Sequence, residues 1–425
     1  MIREWLPLAV FAVCYALFAL RPRWRSATAV AGALAVGLSG SVGWRELLFE
    51  LINWNVIGLF FGTLILAELF MQSRAPAVLA EKLVARTGTF LGAALALCGI
   101  ASAFSAIMEN VAVVLLIAPV AFSLCERLKL SPLRLLIALA VCSNLQGTAT
   151  LIGDPPSMIL GGYMKMSFND FFVYRGKPSI FFAVEAGALA SLPVLTCLFW
   201  RHREPIGLEP VERIRSPMPS VLLALLVLCL SFASTVDPQF AWAAGTSTLI
   251  LAGGGLLWHR AVARWGSTRQ LLRTLDWDTT FFLMGIFVIV GAVGATGWLD
   301  RLAAALAAAI GGSPFEAFAV LTLFAVAVSA FVDNVPFVLA MIPVAGKIAQ
   351  SLGVSEPLLL FGLLIGSCLG GNITPIGASA NIVAIGLLRK RGQEVSFRAF
   401  MSVGLPFTAA AVLAGGAVIW WVWGP

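Results

Sequence analysis

The chain has 425 residues, of which 60% are hydrophobic and only 12% are charged, and its mean hydropathy is +0.95. Soluble domains are typically about 25% charged, so this composition excludes a cytosolic enzyme, a secreted disulfide scaffold and a disordered protein. The formal charge of +7 fits the basic cytoplasmic loops of a membrane protein better than a nucleic-acid partner; we therefore expect an all-α polytopic membrane protein.

Apolar runs of spanning length organise the first half of the chain. We predict full crossings over residues 5–20, 27–43, 54–72, 132–166 and 179–200. A further apolar stretch, 88–126, is broken in its middle by Glu109-Asn110. Basic residues precede and follow this stretch, so it enters and leaves the membrane on the cytoplasmic side, as a re-entrant helical hairpin does. The basic residues that carry this orientation are Arg21, Arg23, Arg25, Arg74, Lys82, Arg86, Arg127, Lys129 and Arg134.

A basic stretch at 201–218 predicts a cytoplasmic linker, after which the pattern starts again. The crossings predicted for the second half are 219–235, 238–258, 278–296, 357–388 and 404–423. The stretch 312–350 is broken by Asp333-Asn334 and predicts a second hairpin. Two amphipathic stretches, 74–87 and 259–275, are expected to lie along the membrane interface; the alternative is that each is a plain surface helix.

The two halves are related in sequence. Residues 105–121 read SAIMENVAVVLLIAPVA and residues 329–345 read SAFVDNVPFVLAMIPVA, and the offset of 224 continues without a gap to Gly153 and Gly377. We divide the chain into a first repeat at 1–200 (hairpin 88–126, broken helix 132–166), the linker at 201–218 and a second repeat at 219–425 (hairpin 312–350, broken helix 357–388). Each repeat has five crossings, an odd number, so the repeats are inverted and both termini are expected outside an inner (plasma) membrane. Inverted repeats with broken helices are typical of secondary transporters.

Polar and glycine-rich segments interrupt two of the predicted helices. They read SNLQGTATLIGDPPSMI from Ser143 and SCLGGNITPIGASANIV from Ser367. Gly and Pro weaken a helix interior and free backbone carbonyls and amides. We expect these two breaks and the two hairpin tips to form one polar pocket. The expected substrate-binding residues are Asn110, Ser143, Asn144, Gly147, Thr148, Thr150, Ser157, Asn334, Gly371, Asn372, Thr374, Ser379 and Asn381.

Carboxyl groups at membrane depth are expected to carry the coupling ion. Glu109 and Asp333 occupy equivalent hairpin tips, and Asp154 stands where the second repeat has Ala378. We predict that these three carboxylates bind and release protons or cations; the alternative is that each only caps the N-terminus of a half-helix. Glu68 and Glu185 fall outside the repeated breaks, and we expect them to make scaffold hydrogen bonds.

The residue types and motifs that the sequence lacks restrict which solutes the pocket can bind and which reactions the chain can catalyse. We expect no Lys or Arg inside the pocket, since the nearest, Lys165 and Lys347, stand at helix ends. A neutral polyhydroxy solute or a cation therefore fits better than a multiply charged anion. The sequence has no Walker-type phosphate loop and no visible nucleophile–base pair, so we expect neither an ATPase nor another enzyme. We also expect no metal site and no cofactor, with transport driven by the proton motive force or by Na⁺.

The segments ENVAVVLLIAPVAFSLCERL with SNLQGTATLIGDPPSMI, and VDNVPFVLAMIPV with GGNITPIGASANIV, resemble the ion transporter superfamily. This superfamily contains the arsenite pump ArsB, the Na⁺/H⁺ antiporter NhaD and dicarboxylate/citrate carriers, and the motifs look like the ArsB/NhaD-type branch that includes the melanosomal P protein. The resemblance covers nearly the whole chain. It implies a scaffold domain, a transport domain built from both hairpins and both broken helices, elevator-type alternating access, and a homodimer.

The hairpin tips depart from two members of this superfamily. Its carboxylate carriers have Ser-Asn-Thr at the tips, whereas this chain has Glu109-Asn110-Val111 and Asp333-Asn334-Val335; this difference argues against citrate or succinate. The tips also differ from the Asn-rich tips of some bacterial arsenite pumps.

Our first interpretation is an exporter that exchanges protons for a small inorganic solute, arsenite or antimonite, within the lipid bilayer. A Na⁺/H⁺ antiporter is the main alternative and an anion or dicarboxylate permease the third. A gated channel and a membrane enzyme or structural subunit are the rivals from other classes. The sequence neither indicates nor excludes a separate ATPase subunit that would energise the pump.

Overall fold

The computed structural model of the protein describes residues 2–21, 24–206, 212–310 and 313–425. The parts of our predictions that involve Met1, Arg23, residues 207–211 of the linker and the start of the second hairpin at 312 lie outside the described residues. The described helices are α1 Ile2–Leu20, α2 Arg25–Leu38, α3 Trp44–Glu46, α4 Trp54–Gln72, α5 Ala75–Ala85, α6 Phe90–Ser105, α7 Asn110–Arg127, α8 Leu133–Gly147, α9 Pro155–Met164, α10 Ile180–Phe199, α11 Met218–Val236, α12 Ala243–Trp258, α13 Thr268–Thr274, α14 Trp277–Ala295, α15 Trp298–Ile310, α16 Pro314–Ser329, α17 Asn334–Leu352, α18 Glu356–Gly370, α19 Ser379–Lys390 and α20 Phe397–Trp423.

The predicted class, an all-α polytopic membrane protein, is confirmed. Eight helices of the described chain are long and apolar enough to cross a membrane. The β-structure described is one small antiparallel hairpin, β1 Val173–Tyr174 with β2 Lys177–Pro178, and an isolated bridge. Helix α18 is buried almost throughout, whereas α11 turns most of its surface outward, so the second broken helix lies at the centre of the molecule.

The helix ends follow the positions of glycine and proline in the sequence. Helix α8 ends at Gly147 and α9 begins with Pro155-Pro156, because proline is tolerated in the first turn of a helix but not in its interior. In the second half α18 ends at Gly370, a 3₁₀ turn covers Gly371–Ile373, and α19 begins at Ser379. The backbone is therefore non-helical over most of 148–154 and 371–378, where both breaks were expected.

Helix bounds and contacts recur between the halves. Both ends of α16 lie 224 residues after the corresponding ends of α6. Helix α4 of the first half packs on α12 of the second, and the corresponding helix α14 of the second half packs on α2 of the first. Helix α10 packs on α20. The close approach of each pair needs a glycine: a Cβ on Gly62 would lie 3.0 Å from the backbone carbon of Thr248, and one on Gly285 would lie 2.6 Å from that of Ala29.

The interfacial helices differ from the prediction. The stretch 74–87 forms α5, but 259–275 contains only a π-helical turn at His259–Ala263 and the seven-residue α13. In the second half, α15 follows α14 in the way that α5 follows α4 in the first half. We did not predict this helix. Its only charged residues, Asp300 and Arg301, stand in the first turn, and the rest of the helix is made of alanine, leucine and isoleucine.

Candidate functional site

A cavity of about 40 Å³ lies where both hairpin tips meet both helix breaks. One buried water needs roughly 10–15 Å³ measured in this way, so the cavity has room for about three waters or a solute of that size. Three further residues come from the N-terminal turns of α2 and α14. The described lining residues are Arg25, Glu109, Asn110, Asn144, Asp154, Pro155, Asp276, Thr279, Asp333, Asn334, Val335, Ala378, Ser379 and Ala380.

The two tip carboxylates cap the helices that follow them. Glu109 Oε2 accepts a hydrogen bond from the Ala112 backbone N–H at 3.1 Å. Asp333 Oδ1 accepts one from the Val335 N–H at 3.2 Å. Each also lines the cavity. Capping, the alternative given for these residues, is therefore part of their geometry.

Asp154 differs from both tip carboxylates. It precedes α9, but its side chain makes no capping hydrogen bond. The residue is only 6% exposed, and its Oδ2 atom finds no hydrogen-bond partner among the described residues. The amide groups of Asn110 and Asn334, one from each hairpin, face this carboxylate. Since an unpartnered buried carboxyl oxygen is costly, Asp154 has the geometry of a ligand-binding group, and Ala378 lines the same cavity from the second break.

Three asparagines join the two breaks directly. Asn144 Nδ2 donates to Asn372 Oδ1 at 2.8 Å and to Asn381 Oδ1 at 3.0 Å. Asn381 Nδ2 in turn donates to the carbonyls of Gly371 and Thr374 at 2.8 and 2.9 Å. Of the three, Asn144 lines the cavity. This network satisfies carbonyls that the broken helix would otherwise leave unpaired.

Hydroxyl groups fix each break to its hairpin tip in the same way in both halves. Thr150 Oγ1 donates to the Ala106 carbonyl, and Thr374 Oγ1 donates to the Ala330 carbonyl. Ser105 Oγ donates to the Ser143 carbonyl at 2.8 Å. These hydroxyls are used within the protein, so they hold the shape of the pocket.

In each helix break, a pair of glycines allows the backbone at the two ends of the break to come into direct contact. A Cβ on Gly153 would lie 2.5 Å from the Gly147 carbonyl oxygen, and a Cβ on Gly377 would lie 2.6 Å from the Gly371 oxygen. Real Cβ atoms do not approach backbone this closely, so the repeated glycines are required by packing.

Of the predicted site residues, the cavity brings together Asn110, Asn144, Asn334, Ser379, Glu109, Asp154 and Asp333. Other predicted residues lie behind its wall: Ser143, Gly147, Thr148, Thr150, Ser157, Gly371, Asn372, Thr374 and Asn381. Ser143 Oγ donates to Ser105 Oγ at 2.9 Å, Thr148 Oγ1 to the Asn144 carbonyl at 3.3 Å, and Ser157 Oγ to the Thr148 carbonyl at 3.4 Å. They support the lining residues from outside the cavity.

The expectation that no Lys or Arg enters the pocket was wrong. Arg25 begins α2, and its guanidinium lines the cavity, 2.6 Å from Asp333 Oδ2. The positive-inside rule predicts Arg25 only as a cytoplasmic loop charge. Asp276 and Thr279 at the start of α14 were also missed. The feature of the sequence that could have indicated this site is the pair Asp276 and Asp278 at the start of a predicted crossing, because carboxylates at that depth need a positively charged or hydrogen-bonding partner.

The electrostatic balance of the cavity is acidic. Its described lining holds four carboxyl groups, from Glu109, Asp154, Asp276 and Asp333, and one guanidinium, from Arg25. Carboxylates this close in a low-dielectric site repel one another unless protons or cations bind between them. The arrangement can therefore exchange protons and cations, and it opposes anions.

The two remaining membrane carboxylates make scaffold contacts. Glu68 accepts from Gln72 Nε2 within its own helix at 2.9 Å. Glu185 on α10 accepts from Gln146 Nε2 on α8. Neither lines the cavity in the described part of the chain.

Comparison with known proteins identifies relatives over the whole chain. A family model described as CitMHS, citrate transporter, matches residues 15–264 and 211–424. An uncharacterized transporter of Mycobacterium tuberculosis is 30% identical over 430 residues, which cover 97% of each chain. The human P protein is 26% identical in an alignment 489 residues long, gaps included, that covers 96% of this chain and 58% of the P protein.

A solved structure shares the fold. The crystal structure of the Alcanivorax borkumensis YdaH transporter covers 100% of this chain and 99% of its own with a TM-score of 0.62, at 13% sequence identity. The family and these relatives are transporters, so the prediction that the chain is not an enzyme is confirmed.

Proposed function

This chain belongs to the CitMHS citrate transporter family and is a membrane transporter, and from that premise we propose that it is a proton-coupled secondary transporter of a small inorganic solute. The observation that carries the proposal is the acidic cavity of about 40 Å³. Four carboxyl groups around so small a space can hold protons and release them when a solute binds.

We propose arsenite or antimonite as the exported solute. Both are neutral hydroxides at neutral pH, with three O–H groups to donate and oxygen atoms to accept. The amides of Asn110 and Asn334 and the hydroxyl of Ser379 supply donors, and the carboxylates and the amide oxygen of Asn144 accept. Because the solute is uncharged, it can enter among carboxylates without opposing charge.

Citrate is not the substrate that we propose, although the family model carries its name. A citrate ion would bring up to three negative charges to a site with four carboxyl groups and one guanidinium. It also has more non-hydrogen atoms than a cavity of three-water size can hold.

A Na⁺/H⁺ antiporter is the second candidate, and one observation favours it. Asp154 Oδ2 is buried without a hydrogen-bond partner among the described residues, and carboxylate oxygens together with amide oxygens are ligands that suit a hard cation. In this version Na⁺ and H⁺ bind in turn to Asp154 and the tip carboxylates.

We further propose that the site moves as a unit. The hairpins α6–α7 and α16–α17 and the broken helices α8–α9 and α18–α19 would form the transport part, and α1, α2, α4, α11, α12 and α14 the scaffold. Inverted repeats, an elevator movement, a homodimer, an inner-membrane location and outside termini belong to the same proposal. The charge pattern and the exchanged helix pairings support it.

The test uses purified protein in liposomes that contain a pH-sensitive dye. A pH gradient is imposed, and arsenite, antimonite, Na⁺, Li⁺ and citrate are added one at a time, with Asp154→Asn liposomes as the matched control. Proton movement with arsenite or antimonite, absent in the control, is the expected result. A response to Na⁺ or Li⁺ alone would replace the first candidate with the second, and a response to citrate alone would refute both.

A further inference from the structure

Arg25 connects two parts of the protein through one side chain. Its Nη1 atom lies 2.6 Å from Asp333 Oδ2 at the tip of the second hairpin. Its Nε atom lies 2.7 Å from Asp278 Oδ2, and Nη2 donates to Thr279 Oγ1 at 2.8 Å. Because a guanidinium offers donors in a rigid planar fork, it can hold several oxygens at fixed relative positions.

The surroundings keep this side chain in place. The Arg25 side chain is 19% exposed and that of Asp333 is 27% exposed, so the pair is partly shielded from water. The guanidinium carbon stands 5.5 Å from the centre of the Phe282 ring. Asp276 and Glu109 add further negative charge toward Arg25.

A second hydrogen bond joins the same two parts. The hydroxyl of Tyr15 on α1 donates to the Pro336 carbonyl, just beyond the hairpin tip, at 2.5 Å. The hairpin tip is thus held by α1 through one hydroxyl and by α2 and α14 through Arg25.

The equivalent position in the other half lacks the charge. The matched glycine contacts of Gly62 with Thr248 and of Gly285 with Ala29 align Arg25 with Ala244. Asp278 then corresponds to Asn55, whose Oδ1 accepts from the Gly245 backbone N–H at 2.6 Å. The same helix pair therefore packs without an arginine, so the fold does not require Arg25.

We propose that Arg25 is a positioning residue that locks the second hairpin to the scaffold while Asp333 is unloaded. A proton or cation that binds at Asp333 takes over the charge that Arg25 neutralises, and the hairpin is released. The lock prevents the empty carrier from moving and so makes exchange obligatory. This inference rests on the proposed proton-coupled transport at the same site.

The lock itself is tested without any solute. Hydrogen–deuterium exchange is measured over residues 329–338 in the wild type, in Arg25→Gln, and in Arg74→Gln as the matched control. Arg74 also pairs with a carboxylate at 2.6 Å, that of Glu212, but at the surface. A partly shielded ion pair contributes more to local stability than an exposed one. We therefore expect about tenfold faster exchange in Arg25→Gln and no change in the control. Unchanged exchange in Arg25→Gln, or an equal increase in Arg74→Gln, would overturn the lock.

Two further variants keep the test decisive if Arg25→Gln does not fold. Asp278→Asn removes the scaffold anchor and should also speed exchange at the tip, whereas Arg25→Lys, which keeps the charge, should give an intermediate rate. Slow, wild-type exchange in Asp278→Asn would count against the proposal.

The consequence for coupling is measured in the same liposomes. Without added solute, we expect proton entry in Arg25→Gln to exceed the wild-type rate by about tenfold, because the empty carrier can move. Tight coupling in a variant whose hairpin exchanges faster would refute the role of the lock. If the hairpin loosens but no solute moves protons in the wild type, the lock stands and the proposed transport function fails.

Discussion

Replacement of Asp154 by Asn separates transport chemistry from folding. The amide has nearly the same shape as the carboxyl group but cannot bind and release a proton. We expect exchange driven by a pH gradient to fall at least about 100-fold, which corresponds to about 2.7 kcal/mol of barrier. The reason is that Asp154 alone among the cavity carboxyl groups has a buried oxygen without a hydrogen-bond partner among the described residues.

Stability should hardly change in the same variant. A buried unsatisfied polar atom costs roughly 1–3 kcal/mol, and the introduced amide keeps one oxygen that can accept from the amide groups of Asn110 and Asn334. We therefore expect the free energy of unfolding to stay within about 1 kcal/mol of the wild type or to rise. Thermal unfolding in detergent, followed by intrinsic fluorescence, measures this.

Glu68→Gln is the matched control for Asp154→Asn. It makes the same carboxyl-to-amide change in a membrane helix, at a side chain that bonds to Gln72 and does not line the cavity. Transport should stay within about twofold of the wild type, since a single hydrogen bond of this kind contributes about 1 kcal/mol or less to stability. Uphill exchange at the normal rate in Asp154→Asn, or an equal loss in Glu68→Gln, would refute the assignment of the coupling site.

Four other substitutions test the breaks and the tips. Gly377→Ala should disrupt folding or transport, because its Cβ would lie 2.6 Å from the Gly371 oxygen, whereas Gly386→Ala, with nothing within 4 Å on α19, should raise stability by up to about 1 kcal/mol in thermal unfolding. Asn381→Ala should cost about 2–3 kcal/mol of unfolding free energy in the same assay, because two carbonyls of the break lose their donor. Glu109→Gln keeps the oxygen that caps α7 but not the charge, so flux in liposomes should fall about tenfold; full activity would show that Glu109 only caps.

The breaks and the hairpin tips could be predicted because local sequence determines them. Pro155 cannot continue a helix, and the paired glycines admit a backbone contact that a Cβ would block. Glu109 and Asp333 begin helices because a carboxylate accepts the free N–H groups of the first turn. Each of these features depends on residues within a few positions of one another.

Long-range contacts could not be predicted in the same way. Arg25 meets Asp333 across 308 positions of sequence, and an arginine between two predicted crossings is indistinguishable from a loop charge by the positive-inside rule. The partners of the hydroxyl groups could not be predicted for a similar reason. Residue type shows that Thr150 and Thr374 can donate a hydrogen bond, but only the fold shows that each donates to a hairpin-tip carbonyl.

The differences between the halves say more about function than the similarities. Glycines, threonines and helix caps recur because both halves must fold alike, whereas Asp154 corresponds to Ala378 and Arg25 corresponds to Ala244. Both unmatched charges line or adjoin one cavity. A charge that one half lacks is not required by the shared fold, so transport is the simplest reason for each of them.

Moving the carboxyl group to its repeat position tests this reasoning directly. Ala378 lines the same small cavity as Asp154 and likewise precedes the second helix of its break. In the double variant Asp154→Ala/Ala378→Asp the cavity keeps its charge, so we expect exchange in liposomes to recover to within about tenfold of the wild type, while Asp154→Ala alone stays inactive. If the double variant folds, as judged by its thermal unfolding, and shows no more exchange than Asp154→Ala, then Asp154 acts through its position relative to Asn110 and Asn334 rather than through the charge of the cavity.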